Sequence, residues 1–170
     1  GAGSQNDFAR AHYEQHMKVS GTLQIEDGPV VEIRGHGLRD HSWGPRYWQS
    51  TPSYRWITGN YGDDIGMVLS IVGDRVGGVF HKGPDQLVRI TEAELDTRYE
   101  GNTNYHEGFT AKVKLENGES HTIEGRVTGF IPLRNRRSGM FTHIGEGMTG
   151  YTLDGTRKGY GLSEYLDQTE

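Results

Sequence analysis

The chain has no cysteine, which removes disulfides, thiolate metal ligands and a cysteine nucleophile. That leaves the redox compartment open, because reducing and oxidising spaces both tolerate such a chain. No apolar run approaches the roughly 18 residues of a membrane-spanning helix, and no signal-like segment opens the sequence. A soluble, cytoplasmic protein without a membrane span is expected. A sustained basic stripe is missing too: 18 basic and 23 acidic residues are interspersed, for a formal net charge of -5, so no nucleic-acid partner is expected. No serine stands in a GxSxG elbow, and the glycine-rich stretches lack the P-loop lysine and the strand-turn-helix setting of a dinucleotide site.

What the sequence does contain is glycine, 26 residues against 5 prolines, and alternation. Residues 1–8, GAGSQNDF, are small and polar without periodicity and read as a tag remnant or linker. Residues 9–170 are long enough for a single domain with a real core. From His12 to Glu26 the odd positions Tyr13, Met17, Val19, Leu23 and Ile25 are apolar and the even ones polar, the period of a strand with one face buried. Asp27-Gly28 then predicts a hairpin turn into Val31 and Ile33. Further strands are expected at Tyr54–Tyr61, Met67–Val72, Val76–Lys82, Leu87–Tyr99, Phe109–Glu116, Ser120–Phe130, His143–Leu153 and Lys158–Tyr165. Turns are expected at Gly73-Asp74, Asn117-Gly118 and Asp154-Gly155. Thr91–Tyr99 satisfies a short helix as easily as a strand. Glycines inside VGGVF and RVTGF suit the bends and bulges of a closing barrel. The fold class that follows is all-β, an antiparallel sandwich or barrel of about eight to ten strands, and an up-and-down barrel of about eight can hold one small ligand.

The densest chemistry lies in GLRDHSWGPRYW, Gly37 to Trp48. Asp40 and His41 are adjacent, so on an extended backbone they face opposite ways and each needs a distant partner. A histidine at a strand end serves as a general base near neutrality, and a carboxylate among tryptophans is raised toward the range of a general acid. The alternative is structural. Trp43 plugs a barrel end and is largely buried, Arg39 or Arg46 stacks on an aromatic ring or pairs with Asp40, and Gly44-Pro45 turns the chain. The histidines give no metal signature, since His12 and His16 in a strand are about 13 Å apart at some 3.3 Å per residue. LRNRR, Leu133 to Arg137, reads as a solvated loop. Near the end, GYGLSEYL offers Glu164 and Tyr165, either as edge-strand packing or with the carboxylate facing a cavity.

At GLRDHSWGPRYW the chain resembles the lipocalin-like superfamily of AttH-like proteins and carotenoid hydratases of the hydroxyneurosporene synthase type. HYEQHMKVSGTLQI is similar to that family's lead-in strand and KGYGLSEYL to the end of its C-terminal barrel. The resemblance implies a lipocalin-like (calycin) barrel. It also implies an apolar small-molecule ligand of isoprenoid or polyketide type, hydrated, isomerised or cyclised without a cofactor. Catalytic roles would fall to Asp40, His41 and Glu164, and ligand contacts to Tyr13, Trp43, Arg46 and Trp48. Members usually carry two consecutive barrels, and this chain has room for one. A second lipocalin-like domain or a homodimer partner therefore belongs to the expectation. The competing reading is a non-catalytic binding or accessory barrel in which RDHSWGPR is structural.

Overall fold

The computed structural model describes residues 11–44, 50–137 and 139–169. Among these it contains ten strands and no helix, and no helix long and apolar enough to cross a membrane. Strands β1 (Ala11–Leu23) and β2 (Val31–Trp43) form a two-stranded antiparallel sheet of their own. The remaining eight are β3 (Ser53–Asn60), β4 (Ile65–Val72), β5 (Arg75–Lys82), β6 (Gln86–Tyr99), β7 (His106–Leu115), β8 (Ser120–Arg137), β9 (Met140–Leu153) and β10 (Arg157–Thr169). They follow one another around a closed barrel, with β10 returning to pair with β3. The protein is therefore an all-β, eight-stranded antiparallel barrel of the lipocalin-like kind.

The alternation of the sequence explains the closure. One face of each strand points inward, giving Ile57, Met67, Leu69, Phe80, Val88, Phe109, Ile123 and Leu153. The rings of Tyr61, Phe80, Phe109, Tyr151 and Tyr165 are at most 2% exposed, and an eight-stranded barrel is just wide enough for such side chains to fill. Each buried aliphatic or aromatic side chain contributes about 1.5–3 kcal/mol. At the β9–β10 turn, Asp154 (φ 50) and Gly155 (φ 71) both adopt the left-handed backbone that a primed hairpin turn requires. The expected irregularity in RVTGF is present as a register shift between Val127 and Gly129. The segment that fitted helix or strand equally is strand, in β6.

Three expectations are corrected. The odd face of β1 is not the buried one: Met17, Val19 and Leu23 are 36–47% exposed. The hairpin does not enter the barrel but lies against its outer wall, and it does so by its even, polar face. Glu14 reaches the Trp56 indole, His16 packs its ring against His81 at 4.9 Å, and Lys18 and His36 both engage Asp63. Polar partners on the wall outcompete the hydrophobic pattern in choosing the face, so the apolar side is left outward. Trp43 is likewise no plug, being 47% exposed on that outward face. LRNRR is not a loop but the exposed end of β8, paired with Met140–Ile144, with the Arg134 guanidinium 4.1 Å from the Phe141 ring centre.

Candidate functional site on the outer wall

Residues directly opposite each other in an antiparallel pair share a face, and the register of four adjacent strands brings an ordered patch together on the outside of the barrel. Trp56 stands opposite Glu164, Glu164 opposite Glu146, and Glu146 opposite Ile131. Two residues along each strand, on the same face, the neighbouring row reads Tyr54, Leu166, Ile144 and Leu133. Two carboxylates are thus set among aromatic and aliphatic side chains. Leu166 and Ile144 are closed off from solvent, whereas Ile131 and Leu133 are open to it.

The Tyr54 hydroxyl donates to Glu164 Oε1. Burial, together with the charge of Glu164 and a hydrogen bond to it, pushes the Glu146 carboxyl up to about 7. Two like charges side by side in a half-buried setting cannot both ionise cheaply, so the pair retains one proton near neutrality.

A second group of side chains lies over Trp56. Its indole N–H donates to Glu14 Oε1 at 2.9 Å. Asp40 stands opposite Glu14 in the hairpin, and His12 Nε2 lies 3.0 Å from Asp40 Oδ2 and 3.5 Å from Glu14 Oε1. Burial, and more weakly the Asp40 charge, raise the Glu14 carboxyl above its ordinary value, opposed by the Trp56 hydrogen bond.

Asp40 and His41 face opposite ways, as their adjacency required. Asp40 finds His12, while His41 stacks on Trp43 at 4.2 Å and 18° and on Tyr13 at 6.0 Å. Arg39 lies over the Tyr13 ring at 5.6 Å. Tyr13, His41 and Trp43 therefore form a stack on the hairpin's outward face, apart from the carboxylates. Glu164 and Asp40 both lie outside the barrel bore. Arg46 and Trp48 fall outside the described residues, as does the segment 1–8. The stacking expected of Arg39 is thus present on Tyr13, and a second charged and aromatic clasp lies on the barrel, where the Arg55 guanidinium is 4.5 Å over the Tyr165 ring and pairs with Asp167 at 2.9 Å.

Inside the barrel, His106 Nε2 lies 2.8 Å from Ser163 Oγ, which in turn lies 2.7 Å from Thr149 Oγ1. The spacing is that of a base and a nucleophile, but His106 and Ser163 are 1% and 0% exposed. The His106 Nδ1 also has no hydrogen-bond partner that would orient the ring. Burial holds this imidazole down at about 4, hence neutral. It is a core element, with its ring stacked 3.9 Å from Tyr165.

A pocket of about 780 Å³ opens beside Val19, Ile33, Lys18, His36 and Asp63. It lies at the far part of the hairpin, four residues along β1 from Glu14, or about 13 Å. The glutamate pair and its apolar frame do not line it.

Sequence reasoning singled out Glu164 and Asp40 as candidates but not the side chains beside them, Glu146, Tyr54, Trp56, Glu14 and His12. The alternation of β9 and β10 assigns Glu146 and Glu164 to outward positions, but only the cross-strand register reveals that they meet. A family model described as a domain of unknown function (DUF7064) matches residues 1–169. No curated protein matches the chain.

Proposed function

Because the chain belongs to the DUF7064 family, whose description assigns no activity, its function is argued from its own geometry. We propose that it is a lipocalin-like domain, related to the AttH-like and carotenoid hydratase proteins, that holds an apolar small molecule against the outer wall. There the Glu146–Glu164 pair exchanges a proton with the bound molecule. The observation that carries this reading is a proton-sharing carboxylate pair, with Glu146 raised to about 7, framed by Trp56, Tyr54, Ile131 and Leu133. A carboxylic acid that is still protonated near neutral pH keeps a proton available for transfer to an enol or a conjugated alkene. The Trp56 face stabilises a developing cation. Hydration, isomerisation and cyclisation of an isoprenoid or polyketide all begin with such a transfer, and none needs a cofactor for it.

The test is incubation of the protein in D2O with a panel of apolar polyenes, isoprenoid alcohols and polyketides, followed by mass spectrometry. Deuterium incorporation or water addition that depends on Glu164, and is lost in Glu164→Gln with binding retained, supports the reading. Binding without any incorporation in the wild type removes the catalytic half, and no binding removes both.

One observation favours a second reading, an accessory barrel. The bore is filled with aromatic rings, and the hairpin presents Met17, Val19, Leu23, Ile33 and Trp43 to solvent, the kind of apolar face that marks a partner surface. A second lipocalin-like domain or a homodimer partner would cover it, and the RDHSWGPR segment would then be structural.

A further inference from the structure

We infer that His12, Glu14 and Asp40 form a binding site for a divalent transition-metal cation, set between the hairpin and the barrel wall. One ligand atom from each residue falls within 4.8 Å of the other two. The two edges that meet at His12 Nε2 measure 3.0 Å to Asp40 and 3.5 Å to Glu14. An ion with metal–ligand bonds of about 2.1 Å sets neighbouring ligand atoms roughly 3.0 to 3.4 Å apart, whether octahedral or tetrahedral. The observed edges already have that spacing.

Strand geometry builds the arrangement. His12 and Glu14 are two residues apart on one face of β1, and Asp40 is the direct cross-strand partner of Glu14 on β2. A rigid ladder thus presents all three side chains to one point. Trp56, from the barrel wall, fixes the Glu14 carboxylate with its indole N–H, the role that outer hydrogen-bond partners play around metal-ligating carboxylates.

Comparison with the two other histidine–carboxylate groups sharpens the choice. The carboxylate beside His36, Asp63, is also held by Lys18 at 3.1 Å; of the two beside His121, Glu119 is held by Lys82 and Asp154 accepts from the Thr122 N–H at 2.9 Å. Asp63 and Glu119 already have a fixed cation. Among the described residues neither Glu14 nor Asp40 has a lysine or arginine partner. His12 and Asp40 keep side-chain exposures of 42% and 38%, which leaves coordination positions open to solvent. One imidazole and two carboxylates suit zinc, manganese or iron better than magnesium or calcium, which favour oxygen-only sets. The inference stands independently of the acid–base reading of Glu146 and Glu164.

The test is calorimetric titration of EDTA-treated protein with ZnCl2, and separately with MgCl2. Zinc should bind at one equivalent and magnesium not at all at the same concentrations. His12→Gln and Asp40→Asn should each weaken zinc at least tenfold, with His121→Gln unchanged. Circular dichroism of each variant confirms the fold, and Glu14→Gln serves as the third probe should either fail to fold. In the wild type, substoichiometric Mn2+ should broaden the Trp56 indole N–H resonance. Zinc binding of equal strength in His12→Gln and Asp40→Asn, absence of stoichiometric binding, or an unbroadened Trp56 signal would each overturn the inference.

Discussion

Glu146 on β9 and Glu164 on β10 stand directly opposite each other and share a hydrogen bond, with Ile131 and Trp56 on their two flanks. The relationship has a signature in stability. The folded pair binds a proton up to about pH 7, whereas an unfolded glutamate loses it near 4.5. Between these values the native state binds more protons than the unfolded state, so this contribution falls as pH rises from 4.5 to 7. Glu146→Gln should abolish that fall, as read from melting temperature across pH 4.5–7.5.

His106 acts in the opposite sense over nearly the same window. Its folded-state value of about 4 lies below the ordinary 6.5, so the unfolded state takes up the proton first and stability drops as pH falls from 6.5 to 4. At about 1.4 kcal/mol per pH unit, the loss is on the order of 3 kcal/mol. His106→Phe keeps a ring against Tyr165 and removes the titration. Its melting temperature should then rise less with pH than the wild type's, because one of the buried histidines has been removed while His16 and His81 remain, and Glu146→Gln should show a steeper rise than the wild type. A pH profile in His106→Phe indistinguishable from the wild type would refute the assignment.

Trp43 is half exposed and stacks on His41 without entering the core. Trp43→Ala should therefore cost about 1 kcal/mol or less in a denaturant titration, instead of the 3–5 kcal/mol of a buried aromatic.

The hairpin packs tightly on the wall at Gly66. A Cβ on Gly66 would come within 2.6 Å of the His16 ring, on the outer wall where the barrel core is untouched. Gly66→Ala should leave the barrel's amide protection unchanged. It should speed hydrogen exchange throughout β1 and β2, because a two-stranded hairpin is marginal without a supporting surface.

The strands were legible because they keep period two and carry their turns at Asn117-Gly118 and Asp154-Gly155, whereas local pattern left sandwich and barrel open and closure rests on the long-range pairing of β10 with β3. The face of β1 was not legible. Tyr13, Met17, Val19 and Leu23 obey the same rule as the core strands, and what turns them outward is a set of contacts from Glu14, His16 and Lys18 to residues 42 to 65 positions away. Candidate site residues were legible one at a time, as with Asp40 and Glu164. Their partners were not, because Glu146 meets Glu164, and His12 meets Asp40, only through strand register.

The central claim is that the outer-wall glutamate pair keeps a proton at neutral pH, and 13C NMR of the side-chain carboxyls of Glu146 and Glu164 as a function of pH tests it most directly. The account predicts one carboxyl titrating near 7 and its return toward the ordinary glutamate range in Glu164→Gln, where the neighbouring charge is gone. Two independent titrations near 4.5 in the wild type would contradict it.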